Sequence, residues 1–322
     1  MKKALIIGID HYNETINNLH HSVTTAIIIE KLLSRNETTE HPEGTPNFDC
    51  KLLISTADKT KLQITRATIK ENCKLLFEDE ETDIAVLYFS GYRFEDSLGG
   101  YLVSQDAERY DEGVSFNDIM IYANNSLIKE ISIILDGHYI SEQKPNENDH
   151  YALLRKGISI LSAKTFHNNC SETNLFAELI INTLNGGNAD ILGKVTLIEL
   201  YEQTDLILNG LEYEVTLQSN TSRLGVLRET KPKIPYSTLV KIKTFFPEST
   251  YYFPLDKEHI PSQKLGKMEK QGDYKQLQKM VKQGLVKPIN AIHLYYAALN
   301  QKHCALTQYG QQYWELLDKN RI

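Results

Sequence analysis

The chain has 322 residues, of which 41% are hydrophobic and 24% are charged, a composition typical of a folded globular protein. This balance argues against a disordered or fibrous chain, and the length suggests about two domains. The four cysteines form no CxxC pair, which argues against a zinc ribbon or a disulfide framework and indicates free thiols. No apolar run is long enough for a signal-peptide core or a membrane span. We therefore expect a cytoplasmic protein that does not contact a membrane.

The formal net charge of −7 is distributed unevenly along the chain. Residues 235–322 carry 13 Lys and Arg and 7 Asp and Glu, a net charge of +6, which leaves residues 1–234 at −13. A basic C-terminal part is a natural candidate for a phosphate-bearing partner. The alternative is that these charges only keep a small domain soluble, because the arginines that read DNA bases are nearly absent from it.

Residues 1–230 alternate short apolar runs with amphipathic stretches, the pattern of a mainly parallel sheet covered by helices on both faces. The apolar runs predict strands over residues 4–9, 50–55, 84–90, 131–135 and 158–162. Helical patterns follow four of these strands, over residues 23–33, 64–77, 116–123 and 175–184. Because parallel pairing needs a crossover between strands, and each interval is long enough for one, we predict an α/β fold.

A second, smaller domain is predicted at the C-terminus. The segment KPKIP contains two prolines, which predicts a linker over residues 231–237 between domains 1–230 and 238–322. Beyond the linker we predict a helix over 262–270, a turn containing a glycine, and a helix over 274–283. A two-stranded hairpin, with its first strand over 292–299, and a final helix over 308–319 follow. This order is typical of a winged-helix domain, an α+β fold.

Lysines on the second of these helices are candidates for nucleic-acid binding. Lys275, Lys279 and Lys282 lie opposite its apolar positions, with Lys270 before them and Lys287 after them. Lysines at four-residue spacing can contact successive phosphates, which suffices for salt-sensitive and weakly selective DNA binding. The alternative is a solvated helix face. Since the predicted hairpin is more apolar than a DNA-gripping wing, we favour the docking of a protein partner by this domain.

Two predicted strands of the first domain end in polar residues, at the edge where open α/β sheets build their sites. The strand at 84–90 runs into SGYRFEDSLGGYLVSQDA, and the strand at 131–135 runs into DGHYISE. These segments resemble the caspase-like cysteine peptidases, in the branch of metacaspases and bacterial caspase homologues. FSGY with GGYLVSQDA is similar to that family's SGHG motif, which holds the catalytic histidine and precedes a glycine and YLVP-x-DA. ILDGHY is similar to its LDxCHSG motif, which holds the catalytic cysteine.

Three further segments carry the same resemblance. ALIIGIDHY is similar to the family's first strand with its GIN-x-Y turn, and LHHSVTTAIIIEKLL is similar to the segment GCVNDA with the helix after it. GISILSAKTFHN with SETNLFAELIINTLNGG is similar to the next strand and the GxFT helix. Five segments in the family's order, over about residues 1–230, imply a caspase-like fold.

The resemblance also implies that the catalytic dyad is degenerate. Tyr92 stands at the position of the general base, and Gly137 or His138 stands at that of the nucleophile, depending on where a one-residue gap is placed. A phenol, with an ordinary pKa of about 10, is a poor base at neutral pH, and glycine has no nucleophile. Thr25 stands where the family has the acidic residue of its specificity pocket. With all three positions changed, we predict a pseudo-protease. His138 and Asp136 lack the further ligands of a metal site, so we predict neither a metal nor a cofactor.

We favour a catalytically inactive regulatory or scaffold subunit that binds a protein partner. By analogy with bacterial caspase homologues, the partner is an active caspase-like protein or a component of a prokaryotic stress or antiphage defence system. One alternative is a cysteine endopeptidase with a non-standard or conditionally assembled site, for which Cys170, close to His167, is the fallback thiol. Another alternative is a winged-helix regulator that binds DNA.

Overall fold

The computed structural model describes residues 1–13, 16–57, 63–96, 99–108, 111–139, 153–165, 174–209, 211, 213–261 and 268–322. The chain divides into two compact units, Met1–Lys231 and Pro232–Ile322. The predicted linker, 231–237, lies across this division. In the described part of the chain, no helix combines the length and the apolar character that crossing a membrane requires.

The first unit is built on one mainly parallel sheet. The described strands of the unit, in chain order, are β1 (Lys2–Gly8), β2 (Arg35–Asn36), β3 (Thr45–Pro46), β4 (Asp49–Ile54), β5 (Ile84–Asp96), β6 (Gly99–Glu108), β7 (Asp111–Ser115), β8 (Glu130–Tyr139), β9 (Ile158–Thr165), β10 (Lys194–Val195), β11 (Tyr213–Asn220) and β12 (Arg228–Glu229). The main sheet has the order β11-β9-β8-β5-β1-β4, in which β11 alone runs antiparallel to its neighbour. Strand β6 pairs antiparallel with the end of β5, and β7 pairs with β6. Short strands form the separate pairs β2–β3 and β10–β12.

Helices cover both faces of this sheet, as the alternating pattern predicts. They are α1 (Ser22–Ser34), α2 (Arg66–Phe77), α3 (Phe116–Asn125), α4 (Leu175–Leu184) and α5 (Leu197–Leu208). Helices α2 and α3 share a core with one face of the strands, and α1, α4 and α5 share a core with the other. Ile7 belongs to the first core and Ile6 to the second, because successive side chains of a strand point to opposite faces. Burial on both faces explains the continuous apolar runs, and the predicted α/β class is confirmed.

The second unit is a small α+β structure with its own antiparallel sheet. Its elements are α6 (Tyr236–Leu239), α7 (Ile242–Phe245), β13 (Tyr252–Pro254), a 3₁₀ turn (Lys257–His259), α8 (Met268–Lys282), β14 (Val286–Pro288), α9 (Leu294–Leu299), β15 (His303–Leu306) and α10 (Gln308–Asp318). The three strands have the order β13-β15-β14. The final helix of the winged-helix prediction is present as α10, and α8 covers the predicted second helix.

Two predictions for this unit are wrong. The turn expected between two helices is absent from the described residues, since α8 runs without a break through Gly272. A glycine costs a helix about 1 kcal/mol, which the burial of Tyr274, Leu277 and Met280 on one side of α8 outweighs. The strand predicted over 292–299 is the helix α9, whose buried residues Leu294, Ala297 and Ala298 follow the helical spacing i, i+3, i+4.

Candidate functional site

Strands β5 and β8 lie side by side, and their register brings the two motif segments together. Ser90 pairs with Asp136, Gly91 with Gly137 and Tyr92 with His138. Because in-register partners of a parallel pair point to the same face, the side chain of Tyr92 lies next to that of His138. Their ring centroids are 6.4 Å apart, with an edge-on angle of 66°. Of the two positions proposed for the nucleophile, the structure brings His138 beside Tyr92.

Gly137 lies in a place where no side chain fits. A Cβ atom at this position would contact Cδ of Arg93 and would lie 2.6 Å from its Cγ and 2.9 Å from the carbonyl oxygen of Gly91. Arg93 is buried, and its Nη1 donates to Oγ of Ser162 at 2.9 Å. The aliphatic part of Arg93 therefore occupies the space that a nucleophilic side chain at 137 would need.

Asp136 forms the centre of a buried polar layer beneath these residues. It is 4% exposed, and its Oδ2 accepts hydrogen bonds from the Tyr88 hydroxyl at 2.8 Å and from Oγ of Ser90 at 2.9 Å. Its Oδ1 accepts from Nδ2 of Asn174 at 2.8 Å, and Asn174 also caps α4 by accepting from the backbone N–H of Ala177. Burial, together with the neighbouring carboxylate, raises the pKa of Tyr88 well above its ordinary value. This layer joins β5, β8 and the start of α4.

Tyr92 is held between two other rings. Its backbone N–H donates to the hydroxyl oxygen of Tyr12 at 2.7 Å, and the two ring centroids are 5.1 Å apart. Tyr12 is buried, which raises its pKa well above the ordinary value for a phenol. The ring of Tyr92 therefore packs between Tyr12 on one side and His138 on the other.

His138 is half-buried, and its environment favours the neutral imidazole. Burial lowers its pKa from the ordinary value, the carboxylate of Asp136 opposes this shift, and His21 adds to it. His21 directly precedes α1, whose first turn is capped by Asp10 through the backbone N–H groups of Ser22 and Val23. The start of α1 thus lies near enough to His138 to act on its charge.

Thr25, the residue at the position of the family's specificity-pocket acid, lies in α1. It is buried, and its backbone N–H donates to the carbonyl oxygen of His21 at 2.8 Å. A buried hydroxyl at this position has no charge with which to bind a basic side chain. The loss of an acidic pocket residue at this position stays a prediction from the sequence resemblance.

The three described cysteines lie outside the strand ends. Cys50 is in β4, Cys73 in α2 and Cys304 in β15, and burial raises the pKa of each thiol to about 12. The fallback thiol Cys170 and its neighbour His167 lie outside the described residues. Among the residues that the structure does describe, no group of three or more His, Cys, Asp or Glu is arranged to hold a metal ion.

The five lysines predicted to bind nucleic acid do not form a uniform set. Lys275, Lys279, Lys282 and Lys287 are exposed. Lys270 instead forms ion pairs with Asp256 and, at 2.8 Å, with Glu258. These contacts raise the pKa of Lys270, and the hydrogen bond to Asp256 contributes most. Its charge is compensated within the second unit, so Lys270 is a weaker candidate than the other four.

Several residues that build the strand-end site were not identified from the sequence. They are Tyr12, Tyr88, Ser90, Arg93 and Asn174. A usable signal exists for two of them, because Tyr88 and Ser90 alternate on one face of an otherwise apolar strand and so point to a common polar partner. Arg93 and Asn174 act through contacts between distant segments, for which the local pattern holds no signal.

No protein-family model and no curated protein matches this chain. Among solved structures, one titled "structure of pro-sf-caspase-1" is similar to it, with 11% sequence identity and a TM-score of 0.45. The similarity covers 70% of this chain and 93% of that chain.

Proposed function

We propose that the first unit is a catalytically inactive, caspase-like domain and that the protein acts as a regulatory or scaffold subunit by binding a protein partner. The observation that carries this proposal is the pairing of Tyr92 with His138 across β5 and β8. The sequence resemblance puts the general base of a cysteine peptidase at Tyr92 and its nucleophile at Gly137 or His138. Both strand ends are in place, with a phenol and an imidazole where an imidazole and a thiol are needed.

The chemistry of this pair does not suit peptide hydrolysis. A cysteine peptidase needs a thiolate as nucleophile and an imidazole that exchanges its proton. Tyr92 offers a phenol, which is a poor base at neutral pH. If His138 attacked a peptide carbonyl, it would form an acyl-imidazole, which is too labile to be a usual protease intermediate. At Gly137, the side chain of Arg93 occupies the space that a nucleophilic side chain would need. These features support a domain whose strand ends serve recognition or structure.

The buried layer around Asp136 supports the same proposal from the side of stability. Its hydrogen bonds join β5, β8 and α4 and involve neither Tyr92 nor His138. This part of the frame can therefore form without a catalytic dyad at those two positions, and the surfaces of the domain remain for partners. A role in prokaryotic stress or antiphage defence follows from the family resemblance alone.

The test is a cleavage assay with fluorogenic peptides that carry Arg, Lys or Asp before the scissile bond. We expect no turnover by the full chain above that of a Tyr92→Phe, His138→Ala double variant. Cleavage that Cys170→Ser abolishes and Cys50→Ser leaves intact would overturn the proposal and favour the cysteine-endopeptidase alternative. Selective labelling of Cys170 by a thiol-reactive peptide probe would do the same.

A second candidate function, DNA binding, is favoured by one observation on α8. Lys275, Lys279 and Lys282 are exposed along one side of this helix, while its other side is buried. We expect a mobility-shift assay at physiological salt to decide between the two functions. If α8 binds DNA, changing these three lysines to Gln weakens binding and reduces the slope of log affinity against log salt by about 3, whereas Lys319→Gln does neither.

A further inference from the structure

An open groove of about 590 Å³ lies between the ends of α2 and α3 in the first unit. We call it the α2–α3 groove, and its lining includes Lys74, Glu78, Glu80, Ile121, Tyr122 and Leu127. The chain enters β5 at Ile84 and β8 at Glu130, a few residues after the groove segments. The groove therefore lies at the opposite end of these strands from Tyr92 and His138, and it is separate from the strand-end site.

Two apolar side chains in the groove are unusually exposed. Ile121 is 56% exposed and Leu127 is 81% exposed, and the half-buried ring of Tyr122 lies between them along the chain. A single exposed leucine on a protein surface is ordinary, but apolar side chains that line a concave surface are typical of a binding groove. The groove thus offers contact area to an apolar side chain of a partner.

Both helices end beside the groove, but their C-terminal dipoles are already compensated. Helix α2 ends at Phe77, and its last turn carries Lys74, which also lines the groove. Helix α3 ends at Asn125, and Nε of Arg155 donates to the carbonyl oxygen of Ala123 in its last turn at 3.2 Å. The charge that a partner meets in the groove therefore depends on its acidic side chains.

Acidic side chains outnumber basic ones in the groove, three carboxylates against Lys74. Glu78, Asp79 and Glu80 line the groove in succession. Asp79 is bonded to Lys3, whereas Glu78 lies 3.9 Å from Lys74 with both side chains more than half exposed, at 59% and 54%. An exposed pair at this distance contributes little to stability, so an incoming cation can replace Lys74 at small cost.

We propose that the α2–α3 groove binds a segment of a protein partner that presents an apolar side chain beside one or two Lys or Arg residues. The apolar side chain packs against Ile121, Tyr122 and Leu127, and the cations lie against Glu78 and Glu80. This inference deepens the proposed docking function, because it names where the first unit binds its partner and what chemistry that partner has. It does not depend on whether the strand-end site is active.

The test is fluorescence anisotropy with labelled ten-residue peptides on a Gly/Ser background and the full-length protein. One peptide carries Leu-x-x-Lys-Arg, a second replaces Leu by Ser, and a third replaces Lys-Arg by Glu-Glu. We expect the first peptide to bind and the other two to bind at least about tenfold more weakly. We also expect Ile121→Ser with Leu127→Ser, and separately Glu78→Gln with Glu80→Gln, to weaken binding of the first peptide about tenfold.

Matched controls separate the groove from the general acidity of the unit. Leu206→Ser removes an equally exposed leucine elsewhere, and Glu202→Gln with Glu214→Gln removes the same charge from exposed positions outside the groove. Each control should change the affinity less than twofold. The proposal is overturned if no peptide binds, if the Glu-Glu peptide binds equally well, or if the control variants weaken binding as much as the groove variants. A cleavage assay on the same samples reports independently on the strand-end site.

Discussion

The two layers of the strand-end site differ in how their side chains are satisfied. In the inner layer, formed by Tyr88, Ser90, Asp136 and Asn174, the carboxylate accepts hydrogen bonds from all three neighbours and is almost fully buried. In the outer layer, formed by Tyr92, Gly137 and His138, rings pack against one another, and a glycine makes room for the stem of Arg93. The hydrogen bonds of the inner layer therefore stabilise the strand ends. The outer layer holds the positions at which a catalytic dyad would lie.

Removing the central carboxylate of the inner layer should have the largest effect. Asp136→Ala leaves the hydroxyls of Tyr88 and Ser90 and the amide of Asn174 without their acceptor, and an unsatisfied buried donor costs about 1–3 kcal/mol. We expect the free energy of unfolding to fall by roughly 3 kcal/mol or more, measured by urea denaturation with far-UV circular dichroism. As the control, Asp118→Asn breaks an exposed ion pair with Lys70 and should cost less than about 1 kcal/mol. Equal losses in the two variants would contradict a structural role for the inner layer.

A methyl group at the glycine of the outer layer should have the next largest effect. Gly137→Ala puts a Cβ against the stem of Arg93, and overpacking of this kind costs about 1–3 kcal/mol. Since the contact with Arg93 is the closest one, the loss should be smaller when Gly137→Ala is made in an Arg93→Ala background. A double-mutant cycle on the free energy of unfolding measures this coupling. Additive losses would show that Arg93 is not what excludes a side chain at 137.

The third prediction concerns pH and the imidazole of the outer layer. Burial lowers the pKa of His138 in the folded protein, so the unfolded chain takes up this proton first as the pH falls. His138 therefore costs stability as the pH drops below about 6.5, the ordinary histidine value, until the lowered folded-state pKa is passed. We expect the melting temperature of His138→Gln to rise relative to wild type between pH 8 and pH 5.5. The exposed His20→Gln should follow wild type throughout, and a similar gain in both variants would reject the role of burial at 138.

Much of the first unit is predictable from sequence because its strands are buried on both faces and its helices alternate with them. The α9 segment was wrongly predicted as a strand, since the tyrosines at 295 and 296 hide the helical spacing of Leu294, Ala297 and Ala298. The outer layer was found because Tyr92 and His138 lie within recognisable segments. The inner layer was not, because Asn174 is 38 residues from Asp136 and its hydrogen bond depends on the tertiary fold.

The smallest effect is expected in the reactivity of the native thiols. This reactivity distinguishes position 138 of the outer layer from the three described cysteines. With pKa values raised to about 12, Cys50, Cys73 and Cys304 hold about one thiolate in ten thousand at pH 8. We expect iodoacetamide followed by peptide mapping to leave these three unmodified in the folded protein and to label all of them in urea. The variant His138→Cys places a thiol at a half-buried position beside Tyr92, and this thiol should be alkylated faster than the three.

The same variant should still fail to cleave peptides. Its neighbour on β5 is Tyr92, whose phenol does not accept the thiol proton at neutral pH. Peptide turnover by His138→Cys alone would mean that another group acts as the base. The outer layer would then differ from an active site by one substitution, and the strand ends would have kept more of their chemistry than the pairing of Tyr92 with His138 implies.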